Sequence, residues 1–137
     1  MRSREPLGIA FFGAGDVSPL HAEGVRRCAD THLQGLWNLD RAQGQDKAAT
    51  FGCRMYDSPA ELLADPAVDA VSVLTNLETH LEFATMALEA GKHVLVEKPV
   101  GVSVGEIESL QQLSARVGKT CMPGHNFIHE DSIIRSK

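Results

Sequence analysis

The chain has little of what marks the specialised protein classes. Cysteine is scarce: three residues in 137 (Cys28, Cys53 and Cys121), far apart and without a CxxC. That odd, scattered set indicates neither a disulfide framework nor a zinc site. Each falls in an apolar stretch, where a reduced cysteine is expected as a small core residue. Basic residues are outnumbered, 13 Lys+Arg against 18 Asp+Glu, for a formal charge of −5. With no Lys/Arg cluster, neither nucleic acid nor an anionic membrane is indicated as a partner. Long apolar runs are missing too: the longest are about strand length, well below the roughly 20 residues needed to span a bilayer. The start, Met1 to Pro6, is too short and polar for a signal peptide. No internal repeat, low-complexity segment or linker interrupts the chain. A single soluble, reduced, cytoplasmic domain is the expectation.

What is present is an alternation of short apolar runs and helical patterns. The runs are Leu7–Phe12, Leu33–Asn38, Cys53–Tyr56, Val68–Leu74, His93–Val96 and Thr120–Met122. Between them, Ser18-Pro19 reads as an N-cap followed by proline at the first helical position, opening a helix to about Ala29 with Leu20, Val25 and Cys28 inward. A second helix carries Ala48, Ala49 and Phe51 and closes on Gly52. Three capping boxes follow: Ser58-Pro-Ala-Glu61, Thr75-Asn-Leu-Glu78 and Ser103-Val-Gly-Glu106. Leu77, Leu81, Ala84 and Leu88 line the helix after the second box, which ends at Gly91. Ile107, Leu110, Leu113 and Val117 line the helix after the third, which ends at Gly118. The order β-α-β-α-β-α-β-α-β-α-β, with uninterrupted apolar runs, predicts an α/β fold: a doubly wound parallel six-stranded sheet.

Phe12 leads into Gly13-Ala14-Gly15-Asp16-Val17-Ser18, a G-x-G-x-x-S loop that follows the first strand and opens the first helix. Gly13 permits the tight turn, and Gly15 lets the backbone approach a pyrophosphate with no Cβ in the way. The helix start then offers free amides and a partial positive charge. Ala14, Asp16 and Val17 complete the candidate loop, with Asp16 pointing outward. A dinucleotide site is therefore expected. The residue about 20 past such a loop decides NAD against NADP. It is Asn38 here, with Asp40 and Arg41 just beyond. Asn38 does not repel a 2′-phosphate, Arg41 can pair with one, and Asp40 can bind ribose hydroxyls, so NAD and NADP both stay open.

From Ala90 to Pro99 the chain reads Ala-Gly-Lys-His-Val-Leu-Val-Glu97-Lys98-Pro99. With the glycine loop and the element order, this resembles the Gfo/Idh/MocA family of NAD(P)-dependent oxidoreductases over about Leu7 to Glu130. The resemblance implies an N-terminal Rossmann fold and oxidation of a sugar, inositol or similar polyol hydroxyl, or reduction of the ketone. It implies that Lys98 touches the substrate oxygen near the nicotinamide as the catalytic residue. Glu97 orients Lys98 or the nicotinamide edge, and Pro99 fixes the turn, with a cis bond as in family members. Thr75 matches the family's fourth-strand end, whereas Asn76 and Leu77 depart from its Thr-Pro-Asn. His80 matches the histidine one turn on, as a site or a packing residue. His125 and Asn126 are candidates on the substrate side, and His129 reads as surface. His21, His32 and Trp37 form no catalytic constellation of their own.

The family carries a second, α+β domain that supplies the acid/base residue, most substrate contacts and the oligomer interface. The expectation is therefore a dinucleotide-binding domain over residues 1–124, with 125–137 beginning the connection to an absent C-terminal domain. The parent enzyme would be a homo-oligomer, and apolar residues near Phe127, Ile128, Ile133 and Ile134 would favour self-association. A stand-alone, non-catalytic NAD(P)-binding or regulatory module is the alternative. Another Rossmann enzyme, such as a methyltransferase, is opposed by Glu97-Lys98-Pro99.

Overall fold

A computed structural model describes residues 5–124. The order is β1 (Leu7–Phe12), α1 (Ser18–Arg27), β2 (Thr31–Trp37), α2 (Arg41–Phe51), β3 (Arg54–Met55), α3 (Pro59–Ala64), β4 (Ala70–Val73), a 3₁₀ turn (Leu77–Thr79), α4 (His80–Glu89), β5 (His93–Glu97), α5 (Val104–Val117) and β6 (Cys121–Gly124). All strand pairs are parallel, and the sheet runs β3-β2-β1-β4-β5-β6. The order reverses between β1 and β4, as in a doubly wound nucleotide fold, and ligands in such sheets bind at that crevice.

Alternation along β1 shows how the core divides. Ala10 and Phe12 face one side with Val71, Val73, Val94 and Val96, against Phe83, Ala84, Ala87 and Leu88 of α4 and Leu110 and Leu113 of α5. Phe11 faces the other side with Leu36 and Ala48, and Ile9, Ala22 and Val25 pack around them. The second face is covered less completely. Ile9, Leu20, Leu95 and Met122 line an open groove of about 600 Å³ over β4 to β6.

Several helix ends follow their local sequence. The Ser58 hydroxyl accepts from the Glu61 amide at 3.0 Å and Ser103 from Glu106 at 3.2 Å. The returning carboxylates reach one residue further back than the standard box, to the amides of Asp57 and Val102. Gly52 (φ 69°) and Gly118 (φ 69°) supply left-handed C-caps. Two caps differ from expectation. Ser18 is already helical, and its Oγ donates back to the Gly15 carbonyl at 2.7 Å instead of accepting. The Thr75 box does not form, because a 3₁₀ turn intervenes; Thr75 Oγ1 instead lies 2.8 Å from Thr79 Oγ1.

Burial also departs from pattern in places. Leu20 is exposed, as is Cys28, because the α1 face turned toward β4 to β6 has no covering layer among the described residues. Ile107 lies on the rim of α5, while Phe83, which the helical spacing did not single out, is core. Cys53 and Cys121 are half-buried, and burial pushes the Cys53 thiol up to about 11 and that of Cys121 in the same direction. Neither thiol is activated for chemistry. Among the described residues no helix is long and apolar enough to cross a membrane, and no cluster of His, Cys, Asp and Glu could hold a metal ion.

Candidate functional site

The glycine loop is fixed mostly by backbone bonds. Gly13 donates to the Trp37 carbonyl at 2.7 Å, and Leu74 donates to that of Phe12 at 2.7 Å, which pulls the ends of β2 and β4 against the loop. Gly13 adopts φ 96°, and a Cβ there would lie 2.9 Å from the Leu74 carbonyl carbon, so glycine is required sterically as well as conformationally. Gly15 is the opposite case: a Cβ there would meet nothing within 4 Å. Next to it, Asp16 and Val17 are exposed. The amides of Gly15, Asp16 and Val17 have no acceptor among the described residues, as expected where a helix begins without a side-chain cap.

A cleft of about 350 Å³ opens at this end of the sheet. Its walls include Gly13, Ala14 and Gly15 from the loop, Trp37, Asn38 and Asp40 beyond β2, and Thr75 and Asn76 beyond β4. The structure therefore brings most of the expected cofactor residues to one crevice. Asn38 is more engaged than expected. Its Oδ1 accepts from the Ala14 amide at 2.9 Å, and its Nδ2 donates to the Asp40 carbonyl at 2.8 Å and Gln43 Oε1 at 2.9 Å. Its side chain is a brace between loop and helix. Asp40 caps α2 by accepting from the Gln43 amide at 3.0 Å. Arg41 is exposed and paired with Asp57 at 2.6 Å.

The second half of the site is the turn after β5. Its Lys98–Pro99 bond is cis. Lys98 and Pro99 are exposed at the carboxyl edge of the sheet, and Glu97 is half-buried. Two histidines hold this turn. His80, 2 % exposed, sets Nδ1 2.8 Å from the Pro99 carbonyl and Nε2 2.8 Å from the Thr75 carbonyl. Both carbonyls accept, so whichever ring nitrogen carries the proton donates to the carbonyl it faces. His80 thus ties the β4 end to the turn, and both its ring nitrogens are engaged. From α1, His21 Nε2 lies 2.9 Å from Glu97 Oε2. Sequence reasoning gave His21 no role, because its partner is 76 residues away. It also missed Gln43, Thr79, Glu82 and Phe83 on the cleft wall; the i, i+4 spacing of Thr75, Thr79 and Phe83 is a local hint. His125 and Asn126, like Phe127, Ile128, His129, Ile133 and Ile134, lie outside the described residues.

Residues 7–125 match an oxidoreductase family defined by an NAD-binding Rossmann fold. The chain belongs to the Gfo/Idh/MocA family. Among curated relatives, D-glucoside 3-dehydrogenase of Escherichia coli is 32% identical over 126 residues, which are 90% of this chain and 35% of that enzyme. Among solved structures, GenD2 from gentamicin A biosynthesis, in complex with NAD, superposes with TM-score 0.93 at 32% identity, covering 99% of this chain and 39% of that one. Biliverdin reductase from Synechocystis, in complex with biliverdin and NADP+, superposes with TM-score 0.84 at 32% identity, covering 90% and 39%. The chain thus spans little more than a third of these proteins. It is an NAD-binding Rossmann domain of this oxidoreductase family, and its neighbours bind NAD in one case and NADP in another.

Proposed function

We propose that the chain is the cofactor-binding part of an oxidoreductase that moves a hydride between a nicotinamide cofactor and a sugar, inositol or similar polyol. One observation carries this reading: the glycine-loop cleft and the Glu97-Lys98-Pro99 turn lie on the same carboxyl edge of one parallel sheet. The cleft fits a dinucleotide, because the space over Gly15 is what a pyrophosphate needs, and amides with no acceptor among the described residues stand beside it.

Gly13, Ala14, Gly15, Asp16 and Val17 would cradle the pyrophosphate through the backbone. Asp40 and Arg41 would meet the adenosine ribose, with Asn38 bracing the loop behind them. Thr75 and Asn76 would meet the nicotinamide ribose. The bound cofactor supplies a hydride acceptor or donor at its nicotinamide ring. Lys98, at the exposed end of β5, is the group on this chain suited to hydrogen-bond the reacting oxygen: its ammonium stabilises a developing alkoxide and can pass a proton to it. His80 and Glu97 act on Lys98 by fixing the turn around it. The remaining substrate contacts and the group that exchanges protons with Lys98 come from elsewhere in the whole protein, as do the contacts of a homo-oligomer. Residues 1–124 are then the dinucleotide-binding domain and 125–137 the connection onward, a division that suits a chain spanning 35% of its glucoside-dehydrogenase relative.

Trp37, the single tryptophan, lines the cleft. Its quenching and its energy transfer to NADH or NADPH should therefore report binding directly. Saturable binding of at least one of them is expected. Failure of both to bind overturns the proposal. Turnover over a sugar and polyol panel, restored by supplying the rest of the protein and lost in Lys98→Ala, separates a dehydrogenase half from a binding module.

A further inference from the structure

We propose that His21 is a positioning residue for the Glu97-Lys98-Pro99 turn, tying the phosphate-binding helix to the end of the site where hydride would move. The inference rests on the function proposed above. Three observations carry it. First, α1 begins at the glycine loop, and His21 lies one turn in, so its backbone position is set by the element that would meet the pyrophosphate. Second, its ring is held: Phe11, fully buried on β1, meets it edge-on with centroids 6.2 Å apart and planes at 80°. Third, it sets Nε2 2.9 Å from Glu97 Oε2, with 15% and 12% of the two side chains exposed.

The pairing follows from strand alternation. Val94 and Val96 face α4 and α5, and Leu95 faces the groove beside α1, so Glu97 also emerges on the α1 side. There it meets His21, which α1 presents one turn in from the glycine loop, whereas Arg26 and Arg27 lie in the last turn and pair with Glu23. Without that N–H, a half-buried carboxylate must find another partner, and the residue that moves with it is Lys98, its chain neighbour. His21 and His80 therefore grip the turn from opposite faces of the sheet, one through the Glu97 carboxylate and the other through the Pro99 carbonyl.

The test compares binding of NADH (or NADPH, whichever the chain takes) with binding of ADP-ribose, which lacks the nicotinamide. His21→Leu should weaken NADH by roughly fivefold and leave ADP-ribose within about twofold, while His21→Gln, which keeps an N–H donor, should restore NADH affinity. ADP-ribose binding also reports that the variant is folded. Should His21→Leu not fold, Glu97→Ala reads the same link from the other side. It should weaken NADH alone and leave ADP-ribose within about twofold. Equal losses on both ligands would make His21 merely structural and overturn the inference, as would no loss on either. Wild-type chain that binds neither reduced cofactor would instead overturn the proposed function, and this inference with it. Wild-type binding with unaffected variants overturns this inference alone.

Discussion

The two ends of the site are built in different ways. At β1 the loop's shape is a backbone property: positive φ at Gly13, an open face at Gly15, and main-chain bonds to Trp37 and from Leu74. At β5 the turn is held by side chains that reach it from α1 and α4. A backbone-encoded loop fails through steric conflict, and its failure takes the fold with it. A turn held by side chains can lose its position while the fold survives. The phosphate end should thus be sensitive to added atoms and the reacting end to removed hydrogen bonds.

The largest effect expected is at Gly13. An alanine there must hold φ 96° with its Cβ 2.9 Å from the Leu74 carbonyl carbon. Left-handed strain and overpacking against backbone together should cost about 4 kcal/mol, read as a shift in the denaturation midpoint at unchanged slope. A loss below about 1 kcal/mol would mean that the loop relaxes easily, and the contrast between the two ends would fall.

Gly15 offers the sharpest internal control, since it lies two residues away with nothing within 4 Å of its Cβ position. Gly15→Val should keep the stability of the parent to within about 0.5 kcal/mol. Its side chain would fill the space assigned to the pyrophosphate, weakening NADH or NADPH by more than about 100-fold. Unchanged affinity in a folded Gly15→Val chain would remove the cofactor from this loop.

At the other end, His80→Leu leaves the Thr75 and Pro99 carbonyls without their shared donor in a buried place, which should cost about 2 kcal/mol. His80→Gln keeps side-chain N–H donors, though not in the imidazole's geometry, and should recover part of that loss. The cofactor response is the informative one: both variants should lose more affinity for NADH than for ADP-ribose, as at His21. Equal losses would show that the turn is not a separate unit.

How much of this was legible in the sequence follows the same division. The strands, the Ser58 and Ser103 caps and the glycine C-caps depend on neighbours within about one helical turn, so local spacing reveals them. The glycine loop was legible for the same reason. Ser18 and Thr75 looked like caps by the same rule, but each hydroxyl found a different partner: the Gly15 carbonyl for one, the Thr79 hydroxyl for the other. Cys28 and Leu20 looked like core because a helical pattern predicts a face and cannot say whether anything covers it. The His21–Glu97 pair was invisible, for 76 residues separate partners that only the sheet order brings together. Asn38 lines the cleft. Its Oδ1 is used up on the Ala14 amide, 24 residues away in the chain, a contact that no local spacing encodes.

The smallest effect concerns the choice between NAD and NADP, where the two ends no longer differ in kind because side chains decide at the phosphate end too. Arg41 follows Asp40 of the cleft wall in the chain, and it is bound to Asp57 at 2.6 Å, with both side chains more than half exposed. An exposed pair of this sort is worth well under about 1 kcal/mol, because water and salt screen it and both chains lose rotamer freedom. It can therefore open cheaply for a phosphate that Arg41 could grip with two N–H groups. Asp57→Asn removes the competitor and should raise NADPH affinity by roughly two- to fivefold with NADH nearly unchanged, most clearly at low salt. Arg41→Ala should lower NADPH by a similar factor. If neither variant moves the NADPH to NADH ratio, the ribose end is read by Asp40 instead, whose carboxylate would oppose a 2′-phosphate and leave NAD as the favoured cofactor.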